Sequence, residues 1–431
     1  MSETSVYSSP AYKRSRLAYL VECAFEYFVA FLVEDAFLSR LLRSIGFDDA
    51  ACGLIASVIS LAFLFQLVSV FVVRRITNTK KTAIIVHAAA QLLFTSLYLI
   101  PFLPFTAGWK KCITVLCLLA AYFCNYLVTV VIYRWANGFV EPSGRAKYSA
   151  TKEMISLLSG IGVSLLLGWI MDHYEGIGQL EKGFLFAAAA MLVFVIGDVV
   201  CLLKIQNERR DDGGTGTVTP MKEILRGTLG NPRFRRVTVL FAVFEISRYT
   251  LVGFLGTFKQ FDLGYSLAMI QVINMAGSII RSALSRPFGR FSDKHSYIKG
   301  IELATLLIIA SYAAVMFTTD ETRWLIWVYA ILNAVSVAGY SQNFLNVTYC
   351  YVDPKYFAEA TAIKNSIGGL CGFLAALASG RLLSFIQQNG NTLFGLPVYG
   401  QQVQAAIALV LAVLSLLYAH FVVGRQKITG K

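Results

Sequence analysis

The chain has 431 residues, a formal net charge of +13 and a mean hydropathy of +0.62, and only 15% of its residues are charged. Soluble domains average about 25% charged residues, so this composition excludes a soluble globular protein. The positive charge does not indicate a nucleic-acid partner, because the basic residues form short clusters between apolar blocks, where they orient membrane helices.

Twelve apolar blocks follow one another along the chain, each close to the roughly 20 residues with which a helix crosses a bilayer. The first block follows a polar start with Lys13, Arg14 and Arg16 and is too long for the core of a signal peptide, so we expect it to be retained. The predicted spans, numbered 1 to 12 in chain order, cover residues 17–41, 50–73, 82–104, 111–133, 149–171, 183–204, 237–258, 266–285, 300–318, 323–349, 358–385 and 401–423.

The distribution of lysine and arginine predicts the orientation of these spans. Segments on one side hold 26 of these residues and segments on the other side hold 7. A missed or invented span would invert every later segment and remove this asymmetry. We therefore expect both termini to be cytoplasmic and the protein to lie in the cytoplasmic (inner) membrane as a multi-pass protein.

The longest polar segment lies in the middle of the chain and separates two sets of six spans. It opens with the linker NERRDDGGTGTVTP, where Thr219 and Pro220 predict the start of a helix. MKEILRGTLGNPRFRRV follows and predicts a basic amphipathic helix on the inner membrane surface. The predicted organisation is a tail over 1–16, a bundle over 17–204, a linker with this helix over 205–236, a second bundle over 237–424 and a tail over 425–431.

The two sets of spans repeat each other. Span 5 aligns with span 11 at a constant offset of 212 residues, and Phe25-Glu26 of span 1 aligns with Phe244-Glu245 of span 7 at an offset of 219. Parallel six-helix repeats are a transporter architecture. The fold predicted is an all-α polytopic membrane protein of twelve transmembrane helices in two pseudo-symmetric six-helix bundles. The identities between spans 5 and 11 are Lys152 with Lys364, Gly160 with Gly372, and Gly168 with Gly380.

With these features the chain resembles the major facilitator superfamily. The best local match is GRFSDKHSYIK between spans 8 and 9, similar to the family's cytoplasmic loop motif, whereas the corresponding VVRRITNTKK between spans 2 and 3 lacks the glycine and the acid. The resemblance implies two bundles that rock about a cavity lined mainly by spans 1, 4, 7 and 10, and an acid that latches the cytoplasmic gate. The residues that would carry this motif are Gly289, Asp293, Lys294 and Lys299.

Ionisable residues inside the spans are functional candidates, because each costs at least a few kcal/mol unless it is paired or hydrated. Glu22 and Glu26 share one face of span 1, and Glu34 with Asp35 lies nearer its outer end. We interpret Glu26 first, and Glu22 and Glu34 second, as proton-titrating groups of the cavity. The alternative for each is a buried acid paired permanently with a structural base.

The second half offers an acid and a base on one face of span 7, Glu245 and Arg248, which predict either a static ion pair or a switch. Lys152 and Lys364 occupy equivalent places in spans 5 and 11. They are interpreted as groups that bind an anionic substrate, pair with Glu26 or Glu245, or form the inner gate. The alternative is that each lysine extends to the inner membrane surface.

Several uncharged or peripheral groups complete the candidate list. Asn125, Asn333 and Asn343 fall on spans 4 and 10, which places them at the expected cavity. His87 of span 3 is interpreted as a packing histidine, with a proton relay as the alternative. Asp198, near the end of span 6, is expected to be solvated. The eight cysteines show no metal-ligand spacing, so we expect neither a metal nor another cofactor.

The favoured function is a secondary active transporter of a small polar or charged solute, coupled most simply to protons. No nucleotide-binding loop of the GxxxxGK[ST] type occurs, and no motif of activated His, Cys or Ser predicts an enzyme. A multidrug/proton antiporter is the alternative within transport, and a non-transporting solute sensor is the alternative of another class. The expected partners are the solute, protons or another coupling ion, and the lipid bilayer, with no nucleic acid and a monomeric state.

Overall fold

The computed structural model describes residues 7–72, 79–141, 145–206, 221–353 and 356–424. A helix overlaps each of the twelve predicted spans. Span 1 comprises Pro10–Ala30 and Asp35–Ile45, and span 2 comprises Asp49–Ala56 and Val58–Val72. Spans 3 to 12 are Thr79–Leu97, Ala107–Asn137, Arg145–Gly176, Leu180–Lys204, Pro232–Tyr249, Leu267–His295, Tyr297–Met316, Leu325–Tyr351, Phe357–Gln388 and Gly400–Tyr418.

Ten of these helical segments in the described ranges, spans 2 and 4 to 12, are long and apolar enough to cross a membrane. Span 1 does not reach this apolarity because it carries Glu22 and Glu26, and the short span 3 begins with Lys80 and Lys81. Sequence and structure therefore agree on a multi-pass, all-helical membrane protein. The polarity of spans 1 and 3 marks them as the places where ionisable groups enter the apolar layer.

The central segment departs from the predicted single amphipathic helix. A helix over Met221–Gly227 ends, and span 7 begins separately at Pro232, where Asn231 Oδ1 accepts a hydrogen bond of 2.9 Å from the Arg233 amide. The prediction of one helix over MKEILRGTLGNPRFRRV is therefore wrong, because the Gly-Asn-Pro sequence caps a new helix. The predicted start at Thr219 and Pro220 lies outside the described residues.

The chain forms two compact units. Unit 1 comprises Met1–Phe47, Val68–Thr215 and Ser266–Gln271, and unit 2 comprises Asp48–Leu67, Gly216–Tyr265 and Val272–Lys431. In unit 1 a buried cluster that includes Tyr19, Val128, Trp135 and Leu202 packs spans 1, 3, 4 and 6 together. Unit 2 has a larger apolar core along spans 7, 9, 10, 11 and 12. A two-stranded hairpin, β1 (Thr392–Leu393) with β2 (Leu396–Pro397), connects spans 11 and 12.

Spans 1 and 7 both break in the same register of the repeat. Their main helices end at Ala30 and Tyr249, which are 219 residues apart, and a 3-10 turn follows in each at Phe31–Val33 and Val252–Phe254. A side chain satisfies a freed carbonyl in both cases, since Tyr98 Oη donates to Leu32 O at 2.7 Å and Ser379 Oγ donates to Thr250 O at 2.6 Å. Interrupted helices are tolerated in membranes only where such partners exist. The two breaks are therefore stabilised by specific contacts from other helices.

Small residues of spans 5 and 11 allow close helix contacts within each unit. A Cβ at Gly168 would lie 3.2 Å from the Cα of Ala268, in the first turn of span 8, and a Cβ at Gly369 would collide with the Ser60 carbonyl of span 2. The repeat-related Gly380 lies beside Ala50 O, 3.6 Å from such a Cβ. Small residues therefore allow close helix approach at these positions.

We expect Gly369→Ala to lower the melting temperature of the purified protein, because the new methyl group would force span 2 away from span 11. Gly162→Ala in span 5 is the matched control, since no atom lies within 4 Å of its added Cβ. Scanning fluorimetry in detergent measures both variants. Equal melting temperatures for Gly369→Ala and wild type would contradict the close backbone contact.

Candidate functional site

The acid–lysine pair predicted for the first half lies inside unit 1. Lys152 of span 5 places its ammonium 5.3 Å from the ring centre of Tyr19 and 5.6 Å from that of Tyr133. Its charge also acts on Glu26 of span 1. Gly160 supports this neighbourhood, because its missing side chain leaves room for the ring of Tyr27. Lys152 is thus held by aromatic faces and by a carboxylate inside the bundle.

The second half builds a related arrangement within unit 2. Glu245 is 2% exposed and accepts a hydrogen bond of 3.4 Å from Arg248 Nη1. Lys364 is 3% exposed, lies 4.7 Å from the ring centre of Phe241, and interacts electrostatically with Glu245. At this burial the ammonium of Lys364 does not reach the membrane surface. Arg248 stacks on Tyr340 at 5.9 Å, so one buried acid stands between two cations.

In both halves an acid from span 1 or 7 therefore interacts electrostatically with a lysine from span 5 or 11, which is one of the roles considered for these lysines. The halves differ in exposure. Glu26 is only partly buried, whereas Glu245 is almost completely enclosed and has a second cation, Arg248. The first pair is therefore less enclosed than the second.

His87 and Asp198 depart from their predicted roles. His87 Nε2 lies 2.8 Å from Asp198 Oδ2 and 4.0 Å from Glu22 Oε1, and each of the three side chains is 1% exposed. The prediction that Asp198 is solvated is wrong, because the face of span 6 that carries Asp198 packs on spans 1 and 3. His87 is buried, as a packing histidine would be, but it contacts carboxylates rather than only apolar groups.

Glu34 and Asp35 lie at the break in span 1. Glu34 is exposed and extended, and Asp35 has a φ of 45°, a left-handed conformation that is uncommon for a residue other than glycine. The predicted role of Glu34 as a proton-titrating group stays a prediction. Glu34 does not lie in the same cluster as Glu22, and its place at a helix break favours a role in shaping span 1.

A second polar cluster lies in unit 1 near the end of span 5, and it was not predicted from the sequence. Asp172 accepts hydrogen bonds from the first two amides of span 8, Leu267 N at 2.9 Å and Ala268 N at 2.8 Å. Arg40 contacts Glu175 and lies 3.9 Å from Asp172. A carboxylate here offsets the positive end of the helix dipole. The available signal was Gly168 and Asp172, four residues apart on one face of span 5.

The three candidate asparagines lie in different surroundings. Asn343 is 2% exposed, donates to Gly339 O at 2.7 Å and packs against Gly300 at the start of span 9. Asn125 is partly buried, and its side-chain oxygen has no hydrogen-bond partner among the described residues. Asn333 is also partly buried. Asn125 and Asn333 therefore keep polar groups available, whereas Asn343 joins two helices.

The motif assigned to the loop between spans 8 and 9 is largely helical. Span 8 continues through Pro287 and Gly289 to His295, so the predicted loop over 286–299 is wrong; the charged residues extend the helix beyond the apolar stretch. Asp293 and Lys294 are exposed, and within the described ranges Asp293 makes no hydrogen bond or ion pair. Lys299 instead pairs with Glu302 at 2.7 Å. The latch role of Asp293 stays a prediction.

Comparison with known proteins extends these observations. A sequence profile of the Major Facilitator Superfamily matches residues 17–376. A point mutant of the nucleoside transporter NupG has a TM-score of 0.71 at 14% identity, covering 94% of this chain and 99% of that one. A bacterial homologue of the human lysosomal transporter Spinster, inward-facing and unoccupied, gives 0.68 at 15% identity, with 97% and 98% covered.

An auto-inhibited peptide transporter of the POT family gives a TM-score of 0.66 at 14% identity, with 96% of this chain and 98% of that chain covered. No curated protein sequence matches this one. At such identities the solved structures show the fold alone, whereas the family profile spans most of the chain. The chain is a membrane transporter of small-molecule solutes rather than an enzyme, and it belongs to the Major Facilitator Superfamily.

Proposed function

We propose that this protein is a secondary active transporter that moves a small polar or charged solute by alternating access and couples this movement to protons through Glu26. The observation that carries the proposal is the repeated acid–lysine pair, Glu26 with Lys152 and Glu245 with Lys364, inside apolar spans. Charges at this depth are costly and mark solute or ion pathways by default. Two such pairs in repeat-related places favour a coupled binding site over accidental burial.

The coupling role belongs to Glu26 rather than to Glu245. Glu26 is partly exposed, so a proton can reach it, and protonation would release the charge of Lys152 for an anionic group of the solute. Glu245 is 2% exposed and interacts with two cations, Arg248 and Lys364, which favour its charged form against the cost of burial. Glu245 then acts as a fixed counter-charge that holds Arg248 and Lys364.

The buried cations favour a polar or anionic solute. Lys152 and Lys364 both present an ammonium on aromatic faces, an arrangement that positions a cation without neutralising it fully. Such a cation can still attract a carboxylate or phosphate. Asn125, whose side-chain oxygen lacks a hydrogen-bond partner within the described residues, adds a polar contact on span 4.

A screen for solutes tests the proposal. Purified protein is heated with nucleosides, short peptides, sugars, organic acids, amino acids and cationic drugs, because a ligand of the folded state raises its melting temperature. A solute that stabilises the protein is then offered to proteoliposomes with an imposed proton gradient. We expect uptake above its equilibrium level, and its loss when a protonophore collapses the gradient. Uptake that ignores the gradient would overturn the proton coupling.

The same proposal places the protein in the cytoplasmic membrane with both termini inside the cell, following the asymmetry of 26 against 7 basic residues. We expect an epitope tag at either terminus to resist a membrane-impermeant reagent in intact cells and to react after permeabilisation. A cysteine introduced in the hairpin at Phe394, which is 97% exposed, is the control that should react in intact cells. A reactive terminal tag in intact cells would reverse the orientation.

A further inference from the structure

Three buried side chains from three spans meet in unit 1 at a place that the proposed coupling does not use. They are Glu22 of span 1, His87 of span 3 and Asp198 of span 6, each 1% exposed. One donor atom from each lies within 4.8 Å of the other two. An imidazole and two carboxylates at this spacing are a ligand set for a first-row transition metal.

The charge of this cluster depends on which groups carry protons. Among the described residues, the charged groups that act on Glu22 and Glu26 include Asp198, His87 and Lys152. With His87 neutral and all three carboxylates ionised, one ammonium leaves an excess of two negative charges, which is strongly unfavourable in an apolar bundle. Protons on His87 and one carboxylate, or one divalent cation, would remove this excess.

The hydrogen bonding of the cluster is also incomplete. Within the described ranges, Asp198 Oδ1 and His87 Nδ1 are buried and have no hydrogen-bond partner, although Asp198 Oδ2 and His87 Nε2 contact each other. Buried polar atoms are nearly always satisfied, so the unpaired oxygen of Asp198 leaves a position for a further ligand. Nδ1 of His87 would carry the ring proton when Nε2 binds a metal, and the ion itself does not supply a partner for it.

We propose that Glu22, His87 and Asp198 form a binding site for one divalent transition-metal ion that is resident in the first half of the transporter. Neutralisation of Glu22 and Asp198 by the ion would leave Glu26 to pair with Lys152, as Glu245 pairs with Lys364. The ion would also tie spans 1, 3 and 6 together. Because all three ligands are enclosed, the ion is a structural component rather than the transported solute.

Only a small adjustment of the cluster is required. Metal–ligand distances of about 2.1 Å need donor atoms roughly 3 Å apart. His87 Nε2 and Asp198 Oδ2 already lie 2.8 Å apart, and Glu22 Oε1 would have to approach His87 Nε2 from 4.0 Å. Glu22 Oε2 now accepts a hydrogen bond of 3.1 Å from Cys23 Sγ, so its position is fixed by one weak contact.

Mn²⁺ is the probe of choice because the exposed thiols of Cys112 and Cys350 would bind Zn²⁺ elsewhere. Tag-free protein, treated with a chelator and then loaded with Mn²⁺, is desalted and measured by elemental mass spectrometry and electron paramagnetic resonance. We expect one bound Mn²⁺ per chain, with spin-echo modulation from one histidine nitrogen. Zn²⁺ should displace it, and Mn²⁺ should raise the melting temperature.

Asp198→Asn and Glu22→Gln are the test variants, and either alone is sufficient if the other does not fold. Loss of one ligand should weaken Mn²⁺ binding by about tenfold or more. His173→Ala, which removes an exposed histidine of span 5, is the matched control and should bind as wild type does. Absence of tightly bound Mn²⁺ in wild type, or binding unchanged in a folded Asp198→Asn or Glu22→Gln protein, would overturn the site. Proton-driven uptake can fail without affecting this result, since binding is measured without transport.

Discussion

Replacement of Glu26 by glutamine is expected to abolish proton-driven uptake of the solute while leaving solute exchange largely intact. Glutamine has nearly the same shape but cannot gain or lose a proton, so the coupling is removed and the passage is kept. Exchange moves solute in both directions without net proton movement, and it therefore does not need a titrating carboxylate. The measurement is uptake of labelled solute into proteoliposomes, once driven by a pH gradient and once by unlabelled solute inside.

Glu181→Gln provides the matched control, because Glu181 lies exposed at the start of span 6 and undergoes the same chemical change. It should transport as wild type does in both assays. Gradient-driven uptake at the wild-type rate in Glu26→Gln would remove this carboxylate from the mechanism. Loss of exchange as well as uptake would instead assign Glu26 to solute binding or folding, which a melting curve of the variant distinguishes.

The repeat in the sequence allowed the architecture of the candidate site to be predicted. Constant offsets of 212 and 219 residues relate Lys152 to Lys364 and Glu26 to Glu245, and in each unit the lysine interacts electrostatically with the acid. The cost of a charge in lipid and the regular spacing of the spans are sufficient to predict which spans carry the candidate residues. That prediction does not depend on how any helix is rotated about its axis.

Hydropathy does not show how a helix is rotated about its axis, and therefore does not show which neighbours its side chains contact. Spans 3 and 6 are apolar on most sides, so the sequence could not show that His87 and Asp198 turn toward each other, and the position of Asp198 near a helix end favoured solvent. The breaks in spans 1 and 7 were missed for a similar reason. Their carbonyls are satisfied by Tyr98 and Ser379 from other helices, and no local signal such as proline announces them.

Removal of the negative charge of Glu245 is expected to have the largest effect on stability. Glu245→Gln would leave Lys364 and Arg248 without their buried counter-charge. Breaking a buried pair in this way costs about 3–5 kcal/mol. Equilibrium unfolding of the purified variant in mixed detergent micelles measures the loss. Glu181→Gln at the exposed start of span 6 is the comparison for the chemical change alone.

A second substitution identifies which cation depends on Glu245. Lys364 is 3% exposed, whereas the side chain of Arg248 is 28% exposed and stacks on Tyr340. Lys364→Met should therefore restore more of the stability lost in Glu245→Gln than Arg248→Met does. The charge swap Glu245→Arg with Arg248→Glu should fail even though the two residues pair, because the new arginine would face Lys364. If Arg248→Met restored more stability than Lys364→Met, Glu245 would be the counter-charge of Arg248 rather than of Lys364. That result would contradict the correspondence between the two acid–lysine pairs.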